Sequence, residues 1–216
     1  MDAPLLYTAE LDLANDDIEP FLQWYAYRHA PDVYEVGMLS CTCYRVTGGD
    51  MNLFDLYELP ASDLFETARY KAMGSGDPYM AALMAKRRNK AHTVYEQRLI
   101  LPPAEAPSLN ADWMSVYRFA LPEDAEPVVI EALIRHMPLL SITGLKRLRF
   151  AARGQDHPRN PTFRPSHMIV AEWEEQPPAD TGIPGLLFEV AGDAISGDSA
   201  ITGRRAYPWP DRRETP

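Results

Sequence analysis

The chain has 216 residues, of which 46% are hydrophobic and 10% aromatic, and its net charge is −10 at pH 7. This length and composition are typical of one or two globular domains, and no apolar run approaches the roughly 18 residues of a membrane-spanning helix. The negative charge repels nucleic-acid backbones, and no lysine or arginine stripe offsets it. We therefore expect neither a membrane nor a nucleic acid as a partner.

The amino terminus and the two cysteines favour a cytoplasmic protein. Residues 1–13 have no basic segment before their short apolar patch, so they predict a first strand and not a signal peptide. Cys41 and Cys43 lie two residues apart in an extended stretch, where a disulfide is strained, and no second Cys or His pair completes a metal site. We expect reduced structural thiols and no bound metal.

An internal repeat indicates the architecture. Three residues recur after 107 positions without a gap, since 136 − 29 = 107. The repeated pairs are Pro20 and Pro127, His29 and His136, and Gly37 and Gly144. The chain is therefore predicted to contain two copies of one fold unit.

The first copy predicts the element order βαββαβ. Residues 5–13 form a strand, and residues 15–17 supply the N-cap of a helix that Pro31 and Gly37 close. Strands over 41–46 and 52–59 follow and are joined as a hairpin. A helical region begins at Ser62, is interrupted at 74–76, restarts with Asp77 as N-cap and Pro78 as its first residue, and ends near Asn89. The last predicted strand covers 93–101.

The second copy repeats this order. Its predicted elements are a strand over 113–121, a helix over 125–137, strands over 146–152 and 167–173, a weak helix over 186–190 and a strand over 201–207. The connection of its hairpin is longer than in the first copy and covers 153–165, a length typical of an active-site lid or of a mobile surface loop.

A βαββαβ unit packs its helices on one sheet face and leaves the other face bare. We therefore predict an α+β fold of two tandem ferredoxin-like units whose antiparallel sheets face each other as an α+β barrel. The predicted units are 1–101 and 112–216, joined by a linker over 102–111. Association into a homodimer stays open.

One sequence pattern resembles a known family. The segments Trp24-Tyr25, His29-Ala30-Pro31-Asp32-Val33, Val36-Gly37 and Tyr44-Arg45 are similar to the signature of the EthD-like branch of the dimeric α+β barrel superfamily. The resemblance implies a small-molecule site between helices and sheet, in cofactor-independent cyclases, isomerases, lyases and monooxygenases that act on aromatic or polyketide-like rings. The superfamily also includes haem enzymes with duplicated units, but this chain shows no recognisable haem motif.

His29 is the main catalytic candidate. It follows Tyr25 by four residues, so both side chains share the helix face that points toward the sheet. An ordinary histidine exchanges protons near neutral pH, as enolisation, cyclisation or ester hydrolysis requires. The alternative is that His29 and His136 both bond the last carbonyls of their helices.

The aromatic residues around His29 distinguish the two copies. Trp24, Tyr25 and Tyr27 correspond to Glu131, Ala132 and Ile134 in the second copy, so the first copy is predicted to carry the chemistry. Trp24 would stack on a planar substrate, and Tyr25 or Tyr27 would donate to an enolate oxygen. The alternative is that Tyr25 belongs to the core and the other two flank it.

Several further residues are candidates for substrate binding. Arg28 or Arg45 would hold a carboxylate, unless they form surface ion pairs with Asp32 or Glu35. In the second copy, Tyr117, His167 and Trp173 would line an opposite wall, unless they serve in packing. The loop residues His157, Arg159 and Arg164 would close over an anionic ligand, unless they only solubilise the loop.

The sequence thus predicts a cofactor-independent acid–base enzyme, an isomerase, hydrolase, cyclase or lyase in aromatic compound catabolism. Its partner would be a small aromatic acid, a ring-cleavage product or a polyketide-like compound. No nucleotide-binding or α/β-hydrolase motif is present. Two alternatives are a cofactor-free monooxygenase acting on a phenol or quinol, and a non-catalytic ligand-binding or stress-response barrel.

Overall fold

The structure is a computed structural model, and it describes residues 3–48, 51–74, 76–103, 109–136, 143–158 and 164–208. The strands are β1 (Leu5–Asp12), β2 (Ser40–Gly48), β3 (Leu53–Leu59), β4 (Arg88–Leu101), β5 (Trp113–Ala120), β6 (Leu145–Arg153), β7 (His167–Trp173) and β8 (Ser196–Tyr207). The α-helices are α1 (Asn15–Trp24), α2 (Ala30–Glu35), α3 (Ala68–Ala72), α4 (Pro78–Lys86), α5 (Glu126–His136) and α6 (Ile183–Ala191).

The eight strands form one closed antiparallel barrel in the order β1-β3-β2-β8-β5-β7-β6-β4. Each copy supplies four consecutive strands of this ring, and the pairs β4–β6 and β2–β8 join the copies. The predicted α+β fold of two ferredoxin-like units in a barrel is confirmed. The two sheets also meet edge to edge, which leaves no unpaired edge strand in this ring.

The alternation of side chains along the strands creates three separate cores. Residues such as Leu6, Phe54 and Val170 point into the barrel, where they pack together. The opposite faces pack against helices, with one core in each copy. The site described below lies in the outer core of the first copy, so it is outside the barrel.

Two buried ionic clusters fill the ends of the barrel interior. Glu10 binds Arg118 at 2.6 Å and also Arg164. Glu58 binds Arg149 at 2.8 Å, and the same guanidinium binds Glu172. Because each buried charge has an opposite partner, these residues close the barrel ends without leaving an isolated ion.

The first helical segment departs from its predicted start and end. Helix α1 has Ala14 as its N-cap residue with no side-chain cap, so the predicted cap by residues 15–17 is wrong. The helix does not end at Pro31, because Pro31 lies in the first turn of α2, where its missing N–H is tolerated. The turn comes at Gly37, whose φ of 104° fits glycine, as predicted.

The other boundaries shift by a few residues. Asp77 caps α4 as predicted and accepts hydrogen bonds from the backbone N–H groups of Tyr79 and Met80. Strand β4 begins at Arg88, five residues before its predicted start, because the chain extends directly after α4. Leu109 and Ala111, at the end of the predicted linker, are buried. The division into 1–101, 102–111 and 112–216 stays a prediction.

The described ranges show neither a membrane-spanning helix nor a cluster of metal ligands. None of their helices is both long and apolar enough to cross a membrane. None of their His, Cys, Asp and Glu side chains gather in a group of three or more that could hold a metal ion.

Candidate functional site

A cavity of about 140 Å³ lies between the outer sheet face of the first copy and its helices. Strands β1, β3 and β4 form its floor, and α1, α2 and the segments around α3 and α4 form its walls. Most lining residues are aromatic or apolar. The polar ones come from both the floor and the walls, and they determine which chemistry the cavity can support.

Asp55 is the central polar group of the floor. It lies on β3 with its side chain pointing outward toward the helices, and it is only 3% exposed. Burial raises the pKa of its carboxyl to about 7. Its Oδ1 atom is buried and accepts no hydrogen bond of ordinary geometry among the described residues, while the Cys43 thiol, opposite Asp55 on β2, interacts with the carboxyl and opposes part of the rise in its pKa. Asp55 therefore has an oxygen available for a ligand and a pKa suited to a general base.

Tyr57 follows Asp55 on the same strand face and connects it to the helices. Its hydroxyl donates to Asp55 Oδ2 at 3.4 Å and accepts a hydrogen bond from the Tyr25 hydroxyl at 3.1 Å. The thiol of Cys41 donates to the Tyr25 hydroxyl at 3.2 Å. Burial raises the pKa values of Tyr25 and Tyr57 well above their usual range, so both phenols stay protonated donors.

His29 lies at the other side of Tyr57. Its Nε2 atom is 3.1 Å from the Tyr57 hydroxyl. Burial, and to a lesser degree the charge of Arg87, lowers the pKa of His29 to about 4. The imidazole is therefore neutral near pH 7, and the expectation that it titrates close to neutrality is wrong. The carboxyl of Asp55 titrates there instead.

A π-helical turn positions these side chains. Residues Tyr25–His29 form a π-helix between α1 and α2, and the N–H of Ala30 bonds the carbonyl of Tyr25. Pro31 has no N–H to continue the α-helical pattern, which favours this wider turn. Tyr25 and His29 thus share the inner face, as their spacing predicts. His29 lies within this continuous helical segment and not at its end.

Trp24 closes the cavity above His29. Its indole stacks on the imidazole with ring centroids 5.1 Å apart. The indole Nε1 donates to Asp77 Oδ2 at 2.9 Å, so the N-cap of α4 also fixes the tryptophan. The aromatic wall predicted for the first copy is therefore present around Trp24, Tyr25 and His29.

The far side of the cavity holds two tyrosine–histidine pairs. The Tyr7 hydroxyl lies 2.6 Å from Nδ1 of His92, and the Tyr70 hydroxyl lies 2.8 Å from Nε2 of His157. Burial lowers the pKa of His92 to about 3. His157 is 2% exposed and comes from the connection between β6 and β7, so the second copy contributes one lining residue to the cavity of the first.

The structure separates the other predicted site residues of the first copy from this cavity. Tyr27 is 61% exposed on the outer side of the helical segment. Arg28 lies in a neighbouring open groove of about 350 Å³ between α2, α3 and α4. Arg45 is exposed on β2 and does not line the cavity.

The predicted residues of the second copy do not form an opposite wall. The Tyr117 hydroxyl is 2.6 Å from Thr181 Oγ1, and Trp173 is fully buried in the outer core of its own copy. His167 packs between two phenylalanines and lies 3.2 Å from Glu126 Oε2. Arg164 binds Glu10 at the barrel end, His136 ends α5, and Arg159 lies outside the described residues.

Sequence reasoning missed the strand residues of the site. Asp55, Tyr57, Tyr7 and His92 all lie on strands, whereas the predicted residues of the first copy lie on its first helical segment, except Arg45 on β2. A signal for Asp55 is present, since it is a carboxyl on the helix-facing side of the buried strand Leu53–Leu59. Its neighbours on that side include Leu53 and Leu59, so a charged residue there is unexpected in a structural core.

Equivalent positions in the second copy lack these groups. The pairs Tyr7–Tyr57 and Ala9–Asp55 of β1 and β3 occupy the same register positions as Ser115–Ala171 and Tyr117–Ile169 of β5 and β7. His92, which pairs with Ala9, corresponds to Ala200, which pairs with Tyr117. Asp55, Tyr57 and His92 thus have Ile169, Ala171 and Ala200 as their counterparts, and none of these carries a polar side chain.

Comparisons with solved structures agree on the fold. An anthrone oxidase-like protein is 10% identical with a TM-score of 0.65, and the match covers 95% of this chain and 92% of that one. A "putative monooxygenase" from Lactobacillus acidophilus NCFM is 12% identical with a TM-score of 0.59 and 95% coverage of both chains. A heme-binding protein from Thermus thermophilus is 11% identical with a TM-score of 0.53, covering 95% of this chain and 92% of that one.

At these identities the likeness concerns the fold alone. The chain shares the overall fold of these proteins, an antiparallel α+β barrel with both units in one chain. No family model matches the sequence, and no curated protein matches it.

The described residues do not fit a haem. A haem requires an axial ligand free to bind iron and space for a flat macrocycle. The cavity of about 140 Å³ is close to the roughly 150 Å³ that holds a single benzene ring. His29, His92 and His157 line this cavity, so it is the space for the macrocycle, and not a lack of imidazoles, that fails. The site suits a one-ring ligand.

Proposed function

We propose that this protein is a cofactor-independent monooxygenase that oxidises a phenol or a quinol. The observation that carries the proposal is Asp55, a buried carboxyl that lines an apolar, ring-sized cavity and has a pKa of about 7. A phenol must lose its proton to become electron-rich enough to react with dioxygen, and Asp55 can accept that proton.

The reaction needs no external reductant. One phenol and one O2 give one para-quinone and one water. One oxygen atom enters the ring and the other leaves as water, which takes up the hydrogen of the hydroxyl and the hydrogen of the replaced C–H bond. The ring supplies all four electrons. A quinol gives a hydroxyquinone and water by the same balance.

The surrounding residues assist this proton transfer. Tyr57 donates a hydrogen bond beside Asp55 and can stabilise the phenolate oxygen, while Tyr25 donates to Tyr57 from behind. Neutral His29 holds the Tyr57 hydroxyl in position. The stacked ring of Trp24 closes the cavity above it, which keeps water from the reacting oxygen.

The alternative function, an acid–base enzyme that does not consume oxygen, would use the same residues. An isomerase, hydrolase, cyclase or lyase also needs a base at Asp55 and an oxyanion donor at Tyr57. The likeness to an anthrone oxidase-like protein and to a "putative monooxygenase" supports the oxygen-dependent reaction instead. The resemblance of residues 24–45 to EthD-like proteins is compatible with both.

The test is oxygen uptake by metal-free, flavin-free protein with single-ring phenols and quinols. We expect one O2 consumed per substrate, a quinone absorbance, and one atom of 18O2 in the product. Asp55→Asn should lower turnover by about 10² or more, and Tyr57→Phe by about tenfold or more.

Three outcomes separate the alternatives. Uptake that depends on Asp55 supports the monooxygenase. Conversion of a substrate without oxygen uptake contradicts it and supports the acid–base enzyme. Saturable binding with no conversion of any substrate also contradicts it and supports a non-catalytic ligand-binding barrel.

A further inference from the structure

The proposed reaction leaves one charged residue of the cavity without a role. Arg87 lines the cavity and is the only arginine or lysine among its described lining residues. It follows the last residue of α4 and precedes β4, in an extended conformation that links the two elements. It is half-buried, so it lies where the cavity approaches the surface.

Arg87 differs from other arginines with a buried Nε atom. Its Nε is buried and has no hydrogen-bond partner among the described residues. Arg164 and Arg205 also leave Nε without a partner, but their other nitrogens bind Glu10 and Asp112. Arg87 forms no ion pair in the described part of the chain, and the carboxyl on which its charge acts is Asp55 of the same cavity. A buried guanidinium donor without a partner is costly, so a ligand acceptor there gains stabilisation.

The size and polarity of the cavity restrict this ligand. About 140 Å³ holds one ring, and its polar groups come from different elements, with Asp55 and Tyr57 on β3 and Arg87 between α4 and β4. Asp55 and Tyr57 suit a hydroxyl group, whereas Arg87 suits an anion. A carboxylate matches the guanidinium with two parallel hydrogen bonds, and at the half-buried Arg87 it can keep part of its hydration.

We infer that the substrate is a single-ring phenolic carboxylic acid whose carboxylate binds Arg87 and whose hydroxyl faces Asp55 and Tyr57. The placement of the substrate hydroxyl at Asp55 and Tyr57 rests on the proposed function, but the binding of its carboxylate by Arg87 does not. In a protein with a net charge of −10, one arginine inside the cavity must overcome the overall repulsion of an anion. Arg87 therefore determines specificity, in the role that the sequence assigned to Arg28 or Arg45.

The test is equilibrium binding by calorimetry without oxygen, using 3-hydroxybenzoate, which keeps a C–H bond para to its hydroxyl, and its neutral isostere 3-hydroxybenzamide. Wild-type protein should bind the acid about tenfold or more tightly than the amide. Arg87→Gln should remove this preference and leave binding of the amide unchanged. Arg88→Gln, a change at the exposed neighbour, should keep it.

Equal binding of acid and amide by the wild type would overturn the inference, as would a preference that survives Arg87→Gln. The wild-type comparison needs no variant, so it holds even where Arg87→Gln folds poorly, and Arg87→Lys gives a second variant that should keep part of the preference. A preference for the acid that depends on Arg87, found together with no oxygen uptake, would sustain this inference and contradict the monooxygenase.

Discussion

The outer cores of the two copies have the same backbone framework and opposite chemistry. In the first copy, β3 presents Asp55 and Tyr57 to the helices, and β4 presents His92. In the second copy, the equivalent positions hold Ile169, Ala171 and Ala200. The fold therefore does not need polar groups at these positions, because one copy packs there without them.

Polar groups that a fold does not need are informative because burying them is costly. A carboxyl without a full set of hydrogen bonds destabilises the folded state, and desolvation moves its pKa toward neutrality. Asp55 shows both features. The second copy packs an apolar residue, Ile169, at the position equivalent to Asp55. The costly carboxyl in the first copy therefore indicates a chemical role and not a structural one.

Making the first copy resemble the second should have the largest effect. Asp55→Ile installs the residue of the equivalent position and should lower turnover by about 10² or more, because the base is lost. It should also raise the free energy of unfolding by about 1 kcal/mol or more, because a poorly solvated carboxyl is removed. Oxygen uptake and urea unfolding measure the two effects. Retained turnover, or a loss of both activity and stability, would contradict a catalytic carboxyl.

The reverse change should damage the second copy. Ile169→Asp buries a carboxyl among apolar residues of the outer core, and we expect it to lower the free energy of unfolding by about 2–4 kcal/mol at pH 7. The variant should stabilise again in acid as the carboxyl takes up a proton. Ile169→Val is the matched control, with a cost of about 1 kcal/mol. An Ile169→Asp variant as stable as the control would show that this position tolerates charge and would weaken the comparison.

The pH dependence should also differ between wild type and Asp55→Ile. The folded-state pKa of Asp55, about 7, lies above its ordinary value of 3.8, so the unfolded chain loses this proton first. Wild-type stability should therefore fall relative to Asp55→Ile as the pH rises from about 3.8 to 7 and then stay level. Wild-type kcat/KM should rise through pH 7 as the base ionises. Parallel stability profiles of the two proteins would mean that Asp55 has an ordinary pKa.

The sequence was sufficient for the fold because the repeat and the alternation of side chains are local patterns. The pairs His29 with His136 and Gly37 with Gly144 identified the duplication, and Gly144 indeed has a positive φ like Gly37. The barrel closes through the pairs β4–β6 and β2–β8, which join segments far apart in the sequence. A local sequence pattern does not predict such pairings.

The site could be predicted only in part for the same reason. The spacing of Tyr25 and His29 places both on one helix face, and the structure agrees. Asp55 reaches them only through the antiparallel pairing of β3 and the packing of the helix on the sheet. The depressed pKa of His29 also arises from that packing, because burial is a property of the assembled layers.

A smaller effect is expected at the histidines that carry the repeat. His29 touches the Tyr57 hydroxyl and is neutral near pH 7, and in the proposed function it positions Tyr57 while Asp55 is the base. His29→Ala should therefore lower kcat by about tenfold and leave the pH profile centred on Asp55 unchanged. His136→Ala, at the equivalent position on α5 and away from the cavity, should leave kcat unchanged.

The pH profile decides which residue moves the proton. If His29 were the general base, His29→Ala would abolish the rise of kcat/KM with pH, whatever the size of the drop in kcat. Since the imidazole stays neutral above about pH 4, such a base would already be active well below pH 7. A rise centred near pH 7 that survives in His29→Ala and disappears in Asp55→Asn would assign the proton transfer to the strand carboxyl, which the second copy lacks.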